Sequence, residues 1–164
     1  MRFTTKQDIE APAAFVFKAL SDFDGWERAA MRRGAEVERT DTLTQAGVGI
    51  SWKSRFSYRG RPRMIDLRVV TFDAPTQLAF AGQSPSVDGT AQVDMMEMSS
   101  QRTRIHVVAE VTPRTLAARL FLQSLRLARA RVDRKFEQRV AQLAADVEQR
   151  FRSARAGQSI SGFR

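Results

Sequence analysis

The sequence predicts one α+β domain, in which a curved antiparallel sheet is closed by a long basic C-terminal helix. Three observations carry this prediction. Apolar and polar residues alternate over residues 2–10 and again over residues 35–112, as they do in half-buried strands. Two short helical patterns separate these stretches. From about residue 114, apolar residues recur at spacings of three, four and seven up to Phe151, which indicates one face of a helix.

The elements follow from local patterns along the chain. Residues 2–10 form the first strand, and Pro12 then opens the first short helix at a position where proline is tolerated. Asp24, with a glutamate three residues later, resembles a capping box and predicts the start of the second short helix. Turn residues at five points divide residues 35–112 into six further strands of an antiparallel meander.

The end of the chain is predicted to be one helix and a tail. Thr112-Pro113 offers a helix cap and a first-turn proline, and the helical pattern then runs without a break to about Phe151. The remaining residues are small, polar and without a pattern. We therefore place one domain at residues 1–152 and a disordered tail at residues 153–164.

Composition excludes several classes of site. The chain has 164 residues, which suffices for one buried core. It has no cysteine, so disulfides, thiolate nucleophiles and cysteine metal sites are absent. The one histidine, His106, alternates with Ile105 and Val107, which places it on the outward face of its strand. We predict no cofactor, no metal site and no catalytic residue.

The start of the chain and its hydropathy bear on location. Asp8 and Glu10 interrupt the apolar run that a secretory signal would need, and no later segment is apolar enough to span a membrane. We therefore expect a cytoplasmic protein, with peripheral contact at the inner membrane face as an open alternative.

The basic charge is concentrated near the C-terminus. The net charge is +9, and residues 114–152 carry ten Lys or Arg against four Asp or Glu, whereas residues 1–113 are nearly balanced. Leucines lie among the arginines, opposite the apolar stripe of the same helix. The predicted contact surface consists of Leu116, Arg119, Leu120, Arg126, Leu127, Arg131 and Arg134.

Two partners fit this contact surface, an anionic membrane or a second copy of the protein. Nucleic acid ranks below both, because single-stranded sites interleave basic residues with aromatic side chains and this helix offers leucines instead.

Short motifs along the chain resemble one family. These are Ile-Glu-Ala-Pro at residues 9–12, Ala-Leu-Ser-Asp-Phe at residues 19–23, Phe-Asp-Ala-Pro at residues 72–75 and Thr-Arg-Ile at residues 103–105. Together with the order of the elements, they resemble the START-like superfamily, also called SRPBCC, which includes polyketide cyclases and lipid-transport proteins. The resemblance covers roughly residues 2–150.

The resemblance implies the helix-grip fold, in which a curved seven-stranded antiparallel sheet with two short helices and a long C-terminal helix encloses a cavity. Relatives hold lipids, quinones, polyketides or plant hormones there, and some act as cyclases or aromatases. On the inward register, Trp52, Phe56 and Tyr58 form an aromatic strand face that suits either a cavity wall or plain core packing. The predicted ligand-binding residues are Gln7, Trp52, Ser54, Phe56, Tyr58, Leu67, Phe80, Met95, Val107, Phe121 and Leu125.

Three functions follow as hypotheses. The leading one is a non-enzymatic protein that binds or carries a hydrophobic small molecule or lipid in the cavity. The second is an enzyme of the cyclase or aromatase type acting on a polyketide-like substrate, in which positioning supplies much of the rate. The third is an interaction module that uses the basic helix to contact a membrane surface, RNA or a protein.

Overall fold

Seven strands form one antiparallel sheet in the order β1-β7-β6-β5-β4-β3-β2. The computed structural model describes residues 1–161. Its elements are β1 (Arg2–Ile9), α1 (Ala13–Leu20), α2 (Phe23–Arg32), β2 (Glu36–Arg39), β3 (Ser51–Tyr58), β4 (Arg61–Asp73), β5 (Gln77–Gln83), β6 (Val87–Ser99), β7 (Arg102–Pro113), α3 (Leu116–Arg126) and α4 (Arg129–Ser161).

The predicted fold class is confirmed, including the seven strands, the two short helices and a long C-terminal helix. The alternation in the sequence sets the faces of the sheet. In β1, Phe3 and Ile9 are buried while Thr4 and Asp8 on the other face are exposed. The concave face therefore carries the apolar side chains, and the convex face is polar.

Helix α4 lies over the β1 side of the concave face. The ring centroid of Phe136 is 5.6 Å from that of Phe3, and Phe151 meets Phe15 of α1 at 5.0 Å. Val140 and Val147, which lie on the same stripe of the helix, are buried. The stripe predicted at spacings of three, four and seven is the stripe that grips the sheet.

The predicted single C-terminal helix is divided into α3 and α4, which corrects the sequence analysis. Near Leu127 and Ala128 the chain tightens, and their N–H groups donate to carbonyls three residues back at 3.2 and 3.0 Å. Thr112 and Pro113 belong to β7 rather than to a helix cap. The cap of α3 is Thr115, whose hydroxyl accepts from the Ala118 N–H at 3.1 Å.

Two other helix boundaries differ from expectation. Helix α2 is capped by Asp22 rather than Asp24, because Asp22 accepts from the N–H of Gly25 at 3.2 Å. Helix α4 continues to Ser161, so residues 153–161 are helical and not a disordered tail. The alanines in this stretch are strong helix formers, and they extend the helix without packing against the sheet. Residues 162–164 lie outside the described residues.

Within residues 1–161, no helix combines the length and the apolar character needed to cross a membrane.

A buried side-chain hydrogen bond holds the entry to α1 against β7, and it yields a stability prediction. Thr103 is fully buried, and its hydroxyl donates to the carbonyl of Ala11 at 2.8 Å. We expect Thr103→Val to lower the free energy of unfolding by about 1–3 kcal/mol, because the Ala11 carbonyl loses its donor. Thr103→Ser keeps the donor and should lose less. Urea denaturation measures both, and a valine variant as stable as wild type would contradict the assignment.

Candidate functional site

A cavity of about 350 Å³ lies between α2, the concave face of the sheet and α4. The side chains around it come from most layers of the fold. They are Leu20, Phe23, Trp26, Glu27, Ala30, Val37, Trp52, Ser54, Leu67, Leu78, Phe80, Val93 and Leu143.

The sheet side of the cavity follows from strand register. Trp52 on β3 is paired with Leu67 on β4, and Leu78 on β5 is paired with Val93 on β6. Directly paired residues of antiparallel strands point to the same face. Their side chains, together with Phe80, therefore form a continuous apolar wall across four neighbouring strands.

Phe23, at the start of α2, is the centre of the aromatic packing beneath the cavity. Its ring centroid lies 5.2 Å from that of Trp52 and 6.2 Å from that of Phe80, both in edge-to-face geometry. It also lies 6.3 Å from Phe72. Such pairs contribute about 0.5–1.5 kcal/mol each beyond the area that they bury. This packing fixes the position of α2 relative to the sheet.

Trp26 stands at the edge of the cavity, and its side chain is held from two directions. Its indole N–H donates to the carbonyl of Leu20 at 3.2 Å, and the guanidinium of Arg150 on α4 lies 5.9 Å from its ring centroid. The residue is 37% exposed. One part of its ring system therefore faces the cavity and another part meets solvent.

Two polar residues, Glu27 and Ser54, interrupt the apolar wall. Oε1 of Glu27 accepts a hydrogen bond of 2.7 Å from the indole N–H of Trp52, and Nη1 of Arg39 lies 3.7 Å from the same oxygen. Among the described residues, no hydrogen bond reaches Oε2 of Glu27 or the hydroxyl of Ser54. The cavity thus offers an anionic acceptor and a hydroxyl on an otherwise apolar surface.

Asp41 anchors the residues behind Glu27. Its two carboxylate oxygens accept from Nε and Nη2 of Arg39, both at 2.8 Å, and from the backbone N–H groups of Ser51 and Leu43 at 2.8 and 2.9 Å. The hydrogen bonds from Arg39 are the largest cause of a pKa of Asp41 far below its usual value, and the two backbone donors lower it further. The same contact raises the pKa of Arg39.

Arg39 connects this anchor to the cavity. Besides Asp41 it approaches Glu27, and its guanidinium carbon lies 5.8 Å from the Trp52 ring centroid. The contacts therefore form a series in which the negative Asp41, the positive Arg39 and the negative Glu27 follow one another. The last of them is hydrogen-bonded to Trp52 of the cavity wall. These contacts hold the side chains of Glu27 and Trp52 in place.

The predicted ligand-binding residues are divided by the structure. Trp52, Ser54, Leu67 and Phe80 line the cavity. The other seven do not line it, although ligand contact by any of the eleven stays a prediction. Met95 and Val107 are buried in the core, Gln7 and Leu125 are half-buried, and Phe56, Tyr58 and Phe121 are exposed.

Nine of the thirteen residues that line the cavity are outside the predicted ligand-binding set, and four of the nine come from α2. Phe23, Trp26, Glu27 and Ala30 recur at spacings of three, one and three, which places them on one face of the helix. That signal was present in the sequence. The sequence analysis uses this segment only to place the start of the helix at Asp24, and it assigns Leu143 of α4 to the apolar stripe that grips the sheet.

His106 lies on the convex face, as predicted. Its Nε2 is 2.7 Å from the hydroxyl of Thr4, and its Nδ1 is 4.0 Å from a carboxylate oxygen of Asp94. The three residues come from neighbouring strands and are part-exposed, away from the cavity. Across residues 1–161, no group of three His, Asp or Glu side chains is arranged to hold a metal ion.

The residues of the predicted contact surface are exposed on α3, at the break after it and on the first turns of α4. Leu116, Leu120 and Leu127 are 70%, 57% and 93% exposed. None of the seven residues lines the cavity.

Comparison with known proteins gives a family match and several structural neighbours. The family described as polyketide cyclase / dehydrase and lipid transport matches residues 1–148. No curated protein matches the chain.

The neighbours share the fold at low sequence identity. The ZhuI aromatase/cyclase from Streptomyces sp. R1128 is 17% identical with a TM-score of 0.68, over 94% of this chain and 97% of that chain. TTHA0849 from Thermus thermophilus is 15% identical with a TM-score of 0.66, over 94% and 99%. A START superfamily protein from Mycobacterium smegmatis is 14% identical with a TM-score of 0.54, over 87% and 98%.

The Asp41 anchor yields a pH-dependent prediction. Because the pKa of Asp41 is lowered by folding, its contribution to stability is complete above the unfolded value of about 3.9 and is lost as the pH falls towards the folded value. We expect Asp41→Asn to lower the urea midpoint at pH 7, and we expect this difference from wild type to shrink steadily below about pH 4.

Asp66→Asn is the matched control, since Asp66 is exposed and has no ion pair among the described residues. Its urea midpoint should follow that of wild type at every pH. A difference between Asp41→Asn and wild type that stays constant from pH 7 to pH 3 would show that the contribution of Asp41 does not depend on its ionisation.

Proposed function

Because this chain belongs to the family of polyketide cyclase / dehydrase and lipid-transport proteins, we propose that it binds and carries a hydrophobic small molecule or lipid in the cavity between α2, the sheet and α4. Membership confirms the START-like assignment made from the sequence. The observation that carries the proposal is the cavity wall, which is apolar except for Glu27 and Ser54. Small-molecule sites combine such walls with a few polar groups.

The volume limits the size of the ligand. At about 350 Å³, the cavity is at the lower end of the range of roughly 300–1,000 Å³ that ligand sites occupy. A small ring system fits within it. A longer isoprenoid or acyl chain would place only one part inside and extend past Trp26 or along the concave sheet.

Glu27 restricts the polar group that the ligand carries. Its Oε1 is engaged by Trp52, which leaves Oε2 as the acceptor for a ligand. A hydroxyl, a phenol or an amine can donate to that oxygen. A carboxylate or phosphate placed there would meet a like charge in partly desolvated surroundings, which is unfavourable. We therefore expect a neutral or cationic ligand with a hydrogen-bond donor.

A cyclase-type reaction is the second candidate function, and Glu27 is the specific observation that favours it. It is the one ionisable side chain among the described residues that line the cavity. In this reaction, the Glu27 carboxylate would take a proton from the carbon between two carbonyls of a polyketide-like chain. The resulting enolate would attack a further carbonyl of the same chain, and the new alkoxide would take the proton back. One structural neighbour, ZhuI, is an aromatase/cyclase.

Ligand binding is tested by native mass spectrometry of gently purified protein and by tryptophan fluorescence with a panel of hydroxylated aromatics, quinols and lipids. The chain has two tryptophans, Trp26 and Trp52, and both line the cavity, so the fluorescence reports on this site. We expect at least one saturable ligand. Ala30→Phe should fill part of the cavity and weaken binding about tenfold or more, because the ligand and the added ring compete for the same space.

Ala14→Phe is the matched control, since Ala14 is exposed on α1 and does not line the cavity. It should bind as wild type does. The proposal is contradicted if wild type is purified without a ligand and binds no member of the panel. It is also contradicted if a ligand binds Ala30→Phe and wild type with equal affinity.

The role of Glu27 is tested with a phenol and its methyl ether as paired ligands. Wild type should prefer the phenol, and Glu27→Gln should lose about tenfold of that preference, because the amide no longer offers a charged acceptor. Binding of the methyl ether should stay the same. Equal binding of phenol and ether by wild type would contradict the proposed hydrogen bond.

The same variant separates the two candidate functions. If the protein is a cyclase, turnover of a polyketide-like substrate should fall by about 10²–10⁴-fold in Glu27→Gln, since a general base has been removed. A wild-type protein that binds such a substrate and returns it unchanged is a carrier.

A further inference from the structure

The hairpin between β3 and β4 carries a second group of exposed apolar and basic side chains. Phe56, Tyr58 and Met64 are 37%, 47% and 40% exposed. Arginines alternate with them on the same two strands and at the turn. These are Arg55, Arg59, Arg61 and Arg63, all exposed. Arg61 and Arg63 are paired with Tyr58 and Phe56 and share their face of the hairpin, whereas Arg55 and Met64 are paired with each other on the opposite face.

This hairpin is continuous with α3. The guanidinium carbon of Arg59 lies 5.4 Å from the ring centroid of Tyr58 and 5.6 Å from that of Phe121 on α3. One arginine therefore stacks on an aromatic ring of each element. We call the surface formed by one face of the hairpin (Phe56, Tyr58, Arg59, Arg61 and Arg63) and by α3 through Leu127 the α3–hairpin surface.

Arg59 occupies an unusual backbone position. With Gly60 it forms the two-residue turn of the hairpin, and both have positive φ, 53° and 73°. Asn, Asp or Gly is preferred at the first of these positions, because a longer side chain is strained there. The chain places an arginine at this strained position, and its contact with Phe121 joins the hairpin to the helix.

The leucines of α3 form the apolar part of the surface. Leu116, Leu120 and Leu127, at spacings of four and seven, lie opposite the buried Ala118. Arg119 and Arg126 flank them on one side. The surface is thus a narrow apolar ridge with basic residues alongside it, which is the pattern of helices that lie in a membrane interface.

The charges of this surface have no partners within the described residues. Arg59, Arg61, Arg63, Arg119 and Arg126 make no ion pair there, and no Asp or Glu occurs in residues 55–65 or 114–132. At the β1–β7 edge, by contrast, Arg2, Arg102 and Arg104 each meet a carboxylate. The α3–hairpin surface therefore has an excess of positive charge that an external anion would complement.

We propose that the α3–hairpin surface docks on an anionic lipid bilayer, with the leucines inserted among the acyl chains and the arginines on lipid phosphates. A two-fold dimer through this surface would place it against its own copy, so the unpaired arginines of both chains would meet. A membrane has no such conflict. Helix α3, at 11 residues, would lie along the interface.

Docking goes beyond ligand binding and does not depend on it. On β3, Trp52 of the cavity wall and Tyr58 of the hairpin are six residues apart, which is roughly 20 Å along a strand. If the proposed function also holds, the cavity is within the length of an acyl or isoprenoid chain from the bilayer.

The experiment is flotation of the full chain with vesicles of phosphatidylcholine alone and of phosphatidylcholine with phosphatidylglycerol, at two salt concentrations. Wild type should float with the anionic vesicles and lose binding as salt rises. Two triple variants, Leu116→Ser/Leu120→Ser/Leu127→Ser and Arg59→Gln/Arg61→Gln/Arg63→Gln, should each lose about tenfold or more in vesicle affinity.

Matched controls come from other parts of the chain. Met31→Ser/Leu43→Ser/Val48→Ser removes three exposed apolar side chains elsewhere, and Arg28→Gln/Arg32→Gln/Arg33→Gln removes the same charge from α2 and its C-cap. Both should float as wild type does. Circular dichroism and thermal unfolding check that each variant is folded.

Three results would overturn the proposal. The first is that wild type does not bind anionic vesicles, or that all four variants bind these vesicles with equally reduced affinity. The second is self-association, measured by sedimentation, that the leucine variant abolishes while vesicle binding persists. The third is tighter binding to single-stranded RNA than to vesicles at the higher salt. Ligand binding is scored with Ala30→Phe, which lies outside this surface, so the two proposals fail separately.

Discussion

The width of the sheet relative to the helix that covers it is the constraint on which the cavity depends. Seven strands at a spacing of about 4.8 Å span roughly 30 Å, whereas one helix with its side chains is about 10–12 Å wide. Helix α4 covers the β1 side, where Phe136 meets Phe3. The concave face of β3 to β6 is left to the two short helices, with Phe17 of α1 against Phe72 and Phe23 of α2 against Trp52 and Phe80. A gap between these two covers is therefore a consequence of the fold.

The polar residues that hold α2 in place also supply the chemistry of the cavity. Trp52 donates to Glu27, and Arg39 approaches the same oxygen while Asp41 holds Arg39. A carboxylate facing an apolar cavity is costly unless it is paired, and these contacts offset that cost. They engage Oε1, and on the proposed function the second oxygen, which has no hydrogen bond within residues 1–161, accepts from the ligand. The contact that stabilises the wall and the contact proposed for the ligand are thus made by the same carboxylate.

The sequence predicted the fold better than the site, for identifiable reasons. Period-two and period-3.6 patterns give the face of each residue, and this correctly placed Trp52, Ser54, Leu67 and Phe80 on the concave side. They do not give the position along a strand. Tyr58 shares the register of Trp52, yet it lies beyond the covering layer and is exposed. Likewise, the charge counted along the chain indicates that residues 1–113 are nearly neutral. It does not show that the arginines of the hairpin lie beside those of α3, which follows only from the contact of Arg59 with Phe121.

The cavity and the α3–hairpin surface carry charges of opposite sign. On the two proposals, the protein therefore binds an anionic membrane but carries a ligand that is not anionic. Unpaired arginines favour anionic lipids at the surface, whereas Glu27 disfavours an anionic group inside. A cavity of the same sign as the surface would be occupied by the headgroups of the bilayer itself, which are present in large excess. With Glu27 in the wall, those headgroups are poor ligands, and a scarcer neutral molecule with a hydrogen-bond donor can compete for the cavity while the protein is docked.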